Sequence, residues 1–249
     1  MTVPAEQRPE RWDAATRGLH WLNAALVALL VLTGLLFMYR GGLQIDGKEA
    51  KMALKGFHSW IGYAFAAAIF ARAAWLFLGP PLARWRRVVP DREALRAIPA
   101  ELHALRSRRP ATEPLRSPVS RLSATLMIAM MLLMATTGLI RTSTDLYRLP
   151  FGPIVASFVA RPGVESSTIT WRNEAELAEP YRLRLVTKAK LVAGKLHTYG
   201  SWVLLVLALL HVCGVVLTEL RQRTGLISTM VSGEAPPPRH PDVPRNRTG

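Results

Sequence analysis

Cysteine is almost absent: Cys213 stands alone in 249 residues. One thiol makes no internal disulfide and cannot hold an iron–sulfur cluster that needs four thiolates. No Cys-x-x-Cys-His run occurs, which excludes covalent c-type haem attachment. Acidic residues are also scarce, 17 against 32 Lys plus Arg, for a formal net charge of +15. In a soluble chain such an excess points to nucleic acid, but here the basic residues are not interleaved with stacking aromatics. They flank long apolar runs, as in a membrane protein whose loops meet anionic lipid. A cleavable leader is not expected either. Met1 to Asp13 is Pro-containing and holds Glu6, Glu10 and Asp13, so the first apolar run should stay as a membrane helix.

What is present is hydrophobic length. A bilayer core takes about 20 apolar residues in a helix. Four segments qualify, at about 18–39, 56–78, 123–140 and 196–217. The chain therefore reads as an all-α membrane protein, a bundle of four transmembrane helices occupying residues 1–233. No internal repeat is evident. A Pro-rich, charged tail at 234–249 is expected to be disordered. Pro80 to Arg121 carries ten Arg, so the positive-inside rule puts this segment, and with it both termini, in the cytoplasm. Arg141 to Lys195 holds nine basic residues, a weaker constraint in a long translocated loop. Asp91 to Arg108, with Leu95, Leu102 and Leu105 among charges, is expected to lie on the inner surface as a short amphipathic helix interrupted at Pro99.

Ionisable residues inside membrane helices are costly and are functional candidates by default. Four of the six histidines fall in the expected spans. His197 and His211 are 14 residues apart on one helix, which is four turns less about 40°, so both face one way. Their separation along the axis is roughly 21 Å. His20 opens the first helix at the inner level, and His58 opens the second at the outer level. With the fourth helix running from outside to inside, the pairing is His58 with His197 outside and His20 with His211 inside. Two facing pairs at two depths suit two stacked porphyrins, each iron held by imidazole on both sides and so built for electron transfer. The bundle is expected to enclose these two haems b. Zinc would need three or four ligands at one level.

Gly34, 14 residues after His20, should let a porphyrin approach the backbone at the outer level. Gly200 and Gly214 each follow a ligand candidate by three residues. Arg72, 14 residues after His58, should face the bundle at the inner level, beside haem propionates. Cys213 reads as a packing residue, and Met127, Met130, Met131 and Met134 as core or lipid-facing side chains. His103 and His240 read as solvated.

At these residues the sequence resembles the cytochrome b subunits of nickel–iron hydrogenases, thiosulfate reductases, formate dehydrogenases and related bacterial b561-type cytochromes. The similarity runs from Arg11 to about Gly233. It is carried by Arg17-Gly-Leu-His20-Trp-Leu-Asn23 with Thr33-Gly34, by His58-Ser-Trp-Ile-Gly62 through Arg72, by Leu196-His197 to His211-Val-Cys-Gly214, and by Leu226-Ile-Ser-Thr-Met-Val-Ser-Gly233. The resemblance implies bis-histidine haem b, a place in the bacterial cytoplasmic membrane, electron exchange with quinone, and a redox partner subunit or cytochrome on the outer face. In formate dehydrogenase-like members an Asn-Pro segment before the third helix serves quinone. The matching position here reads Ser117-Pro118-Val119, without the Asn. The alternative from related single-chain cytochromes is a superoxide:quinone oxidoreductase, with Arg182, Arg184, Lys188, Lys190 and Lys195 steering an anion. A membrane anchor without redox activity is a third reading, which predicts no haem absorption.

Overall fold

In the computed structural model the described residues are 12–45, 47–106, 117–222 and 225–233. The expected tail and His240 lie outside them. The order is α1 (Ala14–Met38), α2 (Lys48–Leu78), α3 (Trp85–Val88), α4 (Arg92–Arg106), α5 (Pro118–Asp145), α6 (Gly152–Val159), α7 (Glu174–Leu177), α8 (Pro180–Gln222) and α9 (Leu226–Val231). Four of them, α1, α2, α5 and α8, are long and apolar enough to cross a membrane. They form a bundle in which α1 packs on α2, α2 on α5, and α5 on α8. Its core, formed by Phe65, Ile69, Met134, Ala135 and Leu204, lies between the two histidine levels. Met127, Met130 and Met131 pack against that core rather than facing lipid alone.

Local chemistry sets the helix ends. Asp13 caps α1, accepting from the Thr16 N–H at 2.9 Å, a bond that satisfies one of the free donors of the first turn. Ser117 does the same for α5, with Pro118 pre-set for a helical start. The Glu179 carboxylate accepts from the N–H groups of Tyr181 at 3.1 Å and Arg182 at 2.8 Å, and so starts α8 with 43 residues. Hydropathy alone placed that start near 196. The residues before it are charged but good helix formers, and a helix leaving the bilayer keeps its backbone bonds in water.

Pro99 does not interrupt α4, contrary to the sequence expectation; it sits inside the helix. One local and one tertiary anchor hold the segment. Ala94 is buried and its N–H donates to Asp91 at 2.8 Å. The Glu101 carboxylate accepts from the Val119 N–H at 2.9 Å, at the positive end of α5. Leu95, Leu102 and His103 remain exposed.

The chain between α5 and α8 folds into a cap over one end of the bundle. Ala156, Val159, Ile169 and Ala178 make a second small core, and Arg172 pairs with Glu49 at 2.7 Å to tie the cap to the start of α2. This is the cap end. The other is the terminal end, where α9 returns to α1 and the Trp21 indole donates to the Met230 carbonyl at 3.1 Å.

Candidate functional site

The four intramembrane histidines meet in two pairs. His58 and His197 face each other at the cap end with ring centres 6.3 Å apart. His20 and His211 do so toward the terminal end, also at 6.3 Å. An imidazole nitrogen binds a metal at about 2.0 Å, and the ring centre lies about 1.1 Å beyond. Two imidazoles sharing one metal should then be about 6.3 Å apart, centre to centre. A direct N–H···N bond, about 2.9 Å long, would bring the centres to about 5 Å. Both pairs therefore leave the gap of a shared metal, and leave it twice. Among the described residues no cluster of three or more His, Cys, Asp or Glu could hold an ion, so these sites offer two protein ligands each.

The cap-end histidines are oriented by threonines on the opposite helices. Thr33 Oγ1 lies 2.8 Å from His58 Nδ1 and Thr137 Oγ1 lies 3.0 Å from His197 Nδ1. Each hydroxyl donates its one hydrogen to its own helix, Thr33 to the Leu29 carbonyl at 2.9 Å and Thr137 to the Leu133 carbonyl at 2.8 Å. The threonine oxygens must then accept from Nδ1–H, a tautomer assigned from the network. That leaves each Nε2 lone pair free as a ligand. The residue after each threonine is glycine. A Cβ on Gly34 would stand 3.9 Å from His58 Cε1, and one on Gly138 would stand 3.3 Å from His197 Cε1. Sequence reasoning selected Gly34 and missed Thr137 and Gly138. The signal was Thr-Gly-Leu, present at 33–35 and again at 137–139. Gly200 instead packs on the Met134 sulfur, and Gly214 has no close neighbour.

The cap-end pair opens on a cavity of about 470 Å³ whose lining includes Gly34, His58, Gly138, His197, Lys55 and Arg141, a size typical of cofactor pockets. Asp145 sits at its edge, 4% exposed, and gathers cations from three helices. Lys55 and Arg141 reach Oδ2 at 2.9 and 2.8 Å. Lys190 lies 2.9 Å from Oδ1, an ion pair without hydrogen-bond alignment, so Oδ1 has no hydrogen-bond partner. Three cations against one carboxylate leave an excess of two positive charges beside the cavity. Asp145 carried no sequence signal, standing four residues past the Arg141 that ends the apolar run.

At the terminal end, Arg72 lies within electrostatic reach of His20 and of Asp13. Its Nη1 is buried without a hydrogen-bond partner. A buried guanidinium N–H left unpaired is costly, and a carboxylate of a bound group is what would satisfy it. Asn23, also buried, donates to the Leu19 carbonyl at 2.8 Å, while its Oδ1 has no hydrogen-bond partner. The residues present thus fit a tetrapyrrole: imidazoles paired at both ends, glycines beside the cap-end pair, and at the terminal end a buried guanidinium N–H without a partner.

Four membrane-crossing helices that face imidazole pairs across metal-sized gaps define a multi-pass membrane cytochrome. The comparisons agree. Residues 11–233 match the family described as Prokaryotic cytochrome b561, and the chain belongs to that family. It is 25% identical over 237 residues to a probable Ni/Fe-hydrogenase B-type cytochrome subunit of Rhizobium leguminosarum bv. viciae, covering 90% of this chain and 87% of the relative. No solved structure matches. Family membership carries haem b and electron transfer in the membrane as the class of activity.

Proposed function

We propose that this chain is a di-haem b-type cytochrome that passes electrons between a redox partner and the quinone pool, as the membrane subunit of a respiratory oxidoreductase. The observation that carries the reading is the repeated 6.3 Å spacing of two imidazole pairs. His58 with His197 and His20 with His211 would hold the two haem irons. Arg72 would meet propionates at the terminal end, and Lys55, Arg141 and Lys190 would do so at the cap end. Thr33 and Thr137 fix the tautomer of the cap-end ligands. Haem held between two imidazoles would supply one-electron chemistry, which suits relaying electrons rather than binding oxygen. A partner subunit is supported by the relative's name, a hydrogenase cytochrome subunit, and the cap would be its docking side. The ten arginines of 80–121 favour a cytoplasmic terminal end in the bacterial inner membrane.

The test is a reduced-minus-oxidised spectrum with pyridine haemochrome quantitation on purified protein, wild type and His211→Ala. About two haems b per chain, dropping toward one in the variant, is the expected result. A haem content indifferent to His211 would refute the assignment. The surplus positive charge around Asp145 supports a second reading, a superoxide:quinone oxidoreductase drawing an anion to the cap end. Superoxide-dependent quinone reduction by the lone chain separates the two.

A further inference from the structure

Between the spans α5 and α8 runs a second apolar stretch. Leu149 to Ala160 (LPFGPIVASFVA) has no charged side chain and is bracketed by Arg148 and Arg161. One face of its helix α6, through Gly152, Ala156 and Val159, is buried, and Ala156 and Val159 belong to the core of the cap. The opposite side is open: Leu149 and Phe151, just before the helix, are 67% and 47% exposed, and Ile154 on it is 67% exposed.

The depth of this open face follows from its contacts with α2. The last charge on α2 before the long apolar run to Arg72 is Lys55. The Arg148 guanidinium lies against Gly56, 3.5 Å from where a Cβ would stand, and 5.6 Å over the Trp60 ring. Arg148 therefore marks the edge of the hydrocarbon layer. Beyond it, the Tyr63 hydroxyl donates to the Leu149 carbonyl. Tyr63 lies five residues past His58, about 7.5 Å nearer the membrane centre, and tyrosines on helices lean back toward the N-terminus. Leu149 thus sits near the level of His58. Trp60 and Tyr63 are in ring contact at 5.6 Å, and Trp60, 64% exposed, continues the open apolar surface beside Arg148.

We propose that Leu149 to Ile154 is a lipid-inserted hook, with Leu149, Phe151 and Ile154 in the acyl-chain boundary of the cap-side leaflet and Arg148 at the phosphates. The hook is continuous with the lipid-facing surface of α2, and it would seat the cap by the membrane itself rather than by a protein partner. The inference stands whether or not the haem assignment holds.

The test uses full-length protein with Cys213→Ala, a single spin-labelled cysteine and phospholipid nanodiscs. Labels are placed at Ile154 or Leu149, at Arg172 as the aqueous reference and at Leu209 as the lipid reference. Oxygen partitions into lipid and a nickel chelate stays in water. The ratio of oxygen to nickel accessibility at 154 and 149 should match 209 and stand well above 172. Ratios at both positions equal to that at 172 would overturn the proposal, since a face kept for a protein partner reads as wet in the lone chain. Two exposed sites make loss of folding in one variant harmless to the test.

Discussion

Replacing Thr137 by valine keeps the shape of the side chain and deletes the oxygen that His197 Nδ1 contacts at 3.0 Å. The Thr33→Val change does the same to His58, whose contact is 2.8 Å. On the proposed ligation, each Nδ1–H···O bond adds electron density to the ligating Nε2 and raises ligand basicity. A more basic ligand favours oxidised iron, so loss of the bond raises the cap-end midpoint potential. A neutral hydrogen bond contributes about 0.5–1.5 kcal/mol net. At 59 mV per tenfold for one electron, this corresponds to about 20–65 mV, an upper bound because only the part that differs between redox states counts. The assay is a spectroelectrochemical titration of wild type and both variants. One of the two redox steps should move upward in each variant, and the same step in both, while the other stays in place. An unmoved titration, or both steps moving equally, would refute the assignment of the threonines to one site.

Three further outcomes are expected. Asp145→Asn should leave Lys55, Arg141 and Lys190 around a neutral amide, and removing one partner of a buried ion pair costs about 3–5 kcal/mol. The three cations are 18–31% exposed, so solvent screening favours the low end. A thermal scan in detergent should show a markedly lower midpoint, partly restored by Asp145→Glu. Gly138→Val should reduce haem content, because even a Cβ stands 3.3 Å from His197 Cε1, whereas Gly34→Ala adds an ordinary 3.9 Å contact and should retain it; haemochrome quantitation checks both. Burial alone would raise the Asp13 carboxyl, but the hydrogen bonds from Thr16 and Trp75 outweigh it and hold it below its usual value. A depressed carboxylate stabilises above its unfolded pKa of about 3.9, and that contribution fades as pH falls through the lower folded value. Asp13→Ala should therefore cost about 1 kcal/mol at neutral pH, and denaturation profiles of variant and wild type should converge in strong acid.

The sequence by itself determined the four crossings and the facing of His197 and His211. Hydropathy reports the solvent a segment prefers, and a 14-residue spacing is a property of one helix, so both are local. It also allowed the pairing by depth, because helices that alternate direction leave few ways to match four histidines. Tertiary structure decided the rest. Thr137 and Gly138 on α5 act on His197 of α8, and Asp145 gathers Lys55 and Lys190 from two other helices. No periodicity within a segment records such contacts, since the partners lie 45 to 90 residues away in the chain. The start of α8 at Pro180 was hidden by charge, which marks water but does not end a helix. Pro99 was read as a break because the cost of its missing N–H is local, while the anchor at Glu101 exists only once α4 meets α5. The hook before α6 was visible as an uncharged stretch, but its depth became readable only when Arg148 and Leu149 were set against Gly56 and Tyr63 of α2.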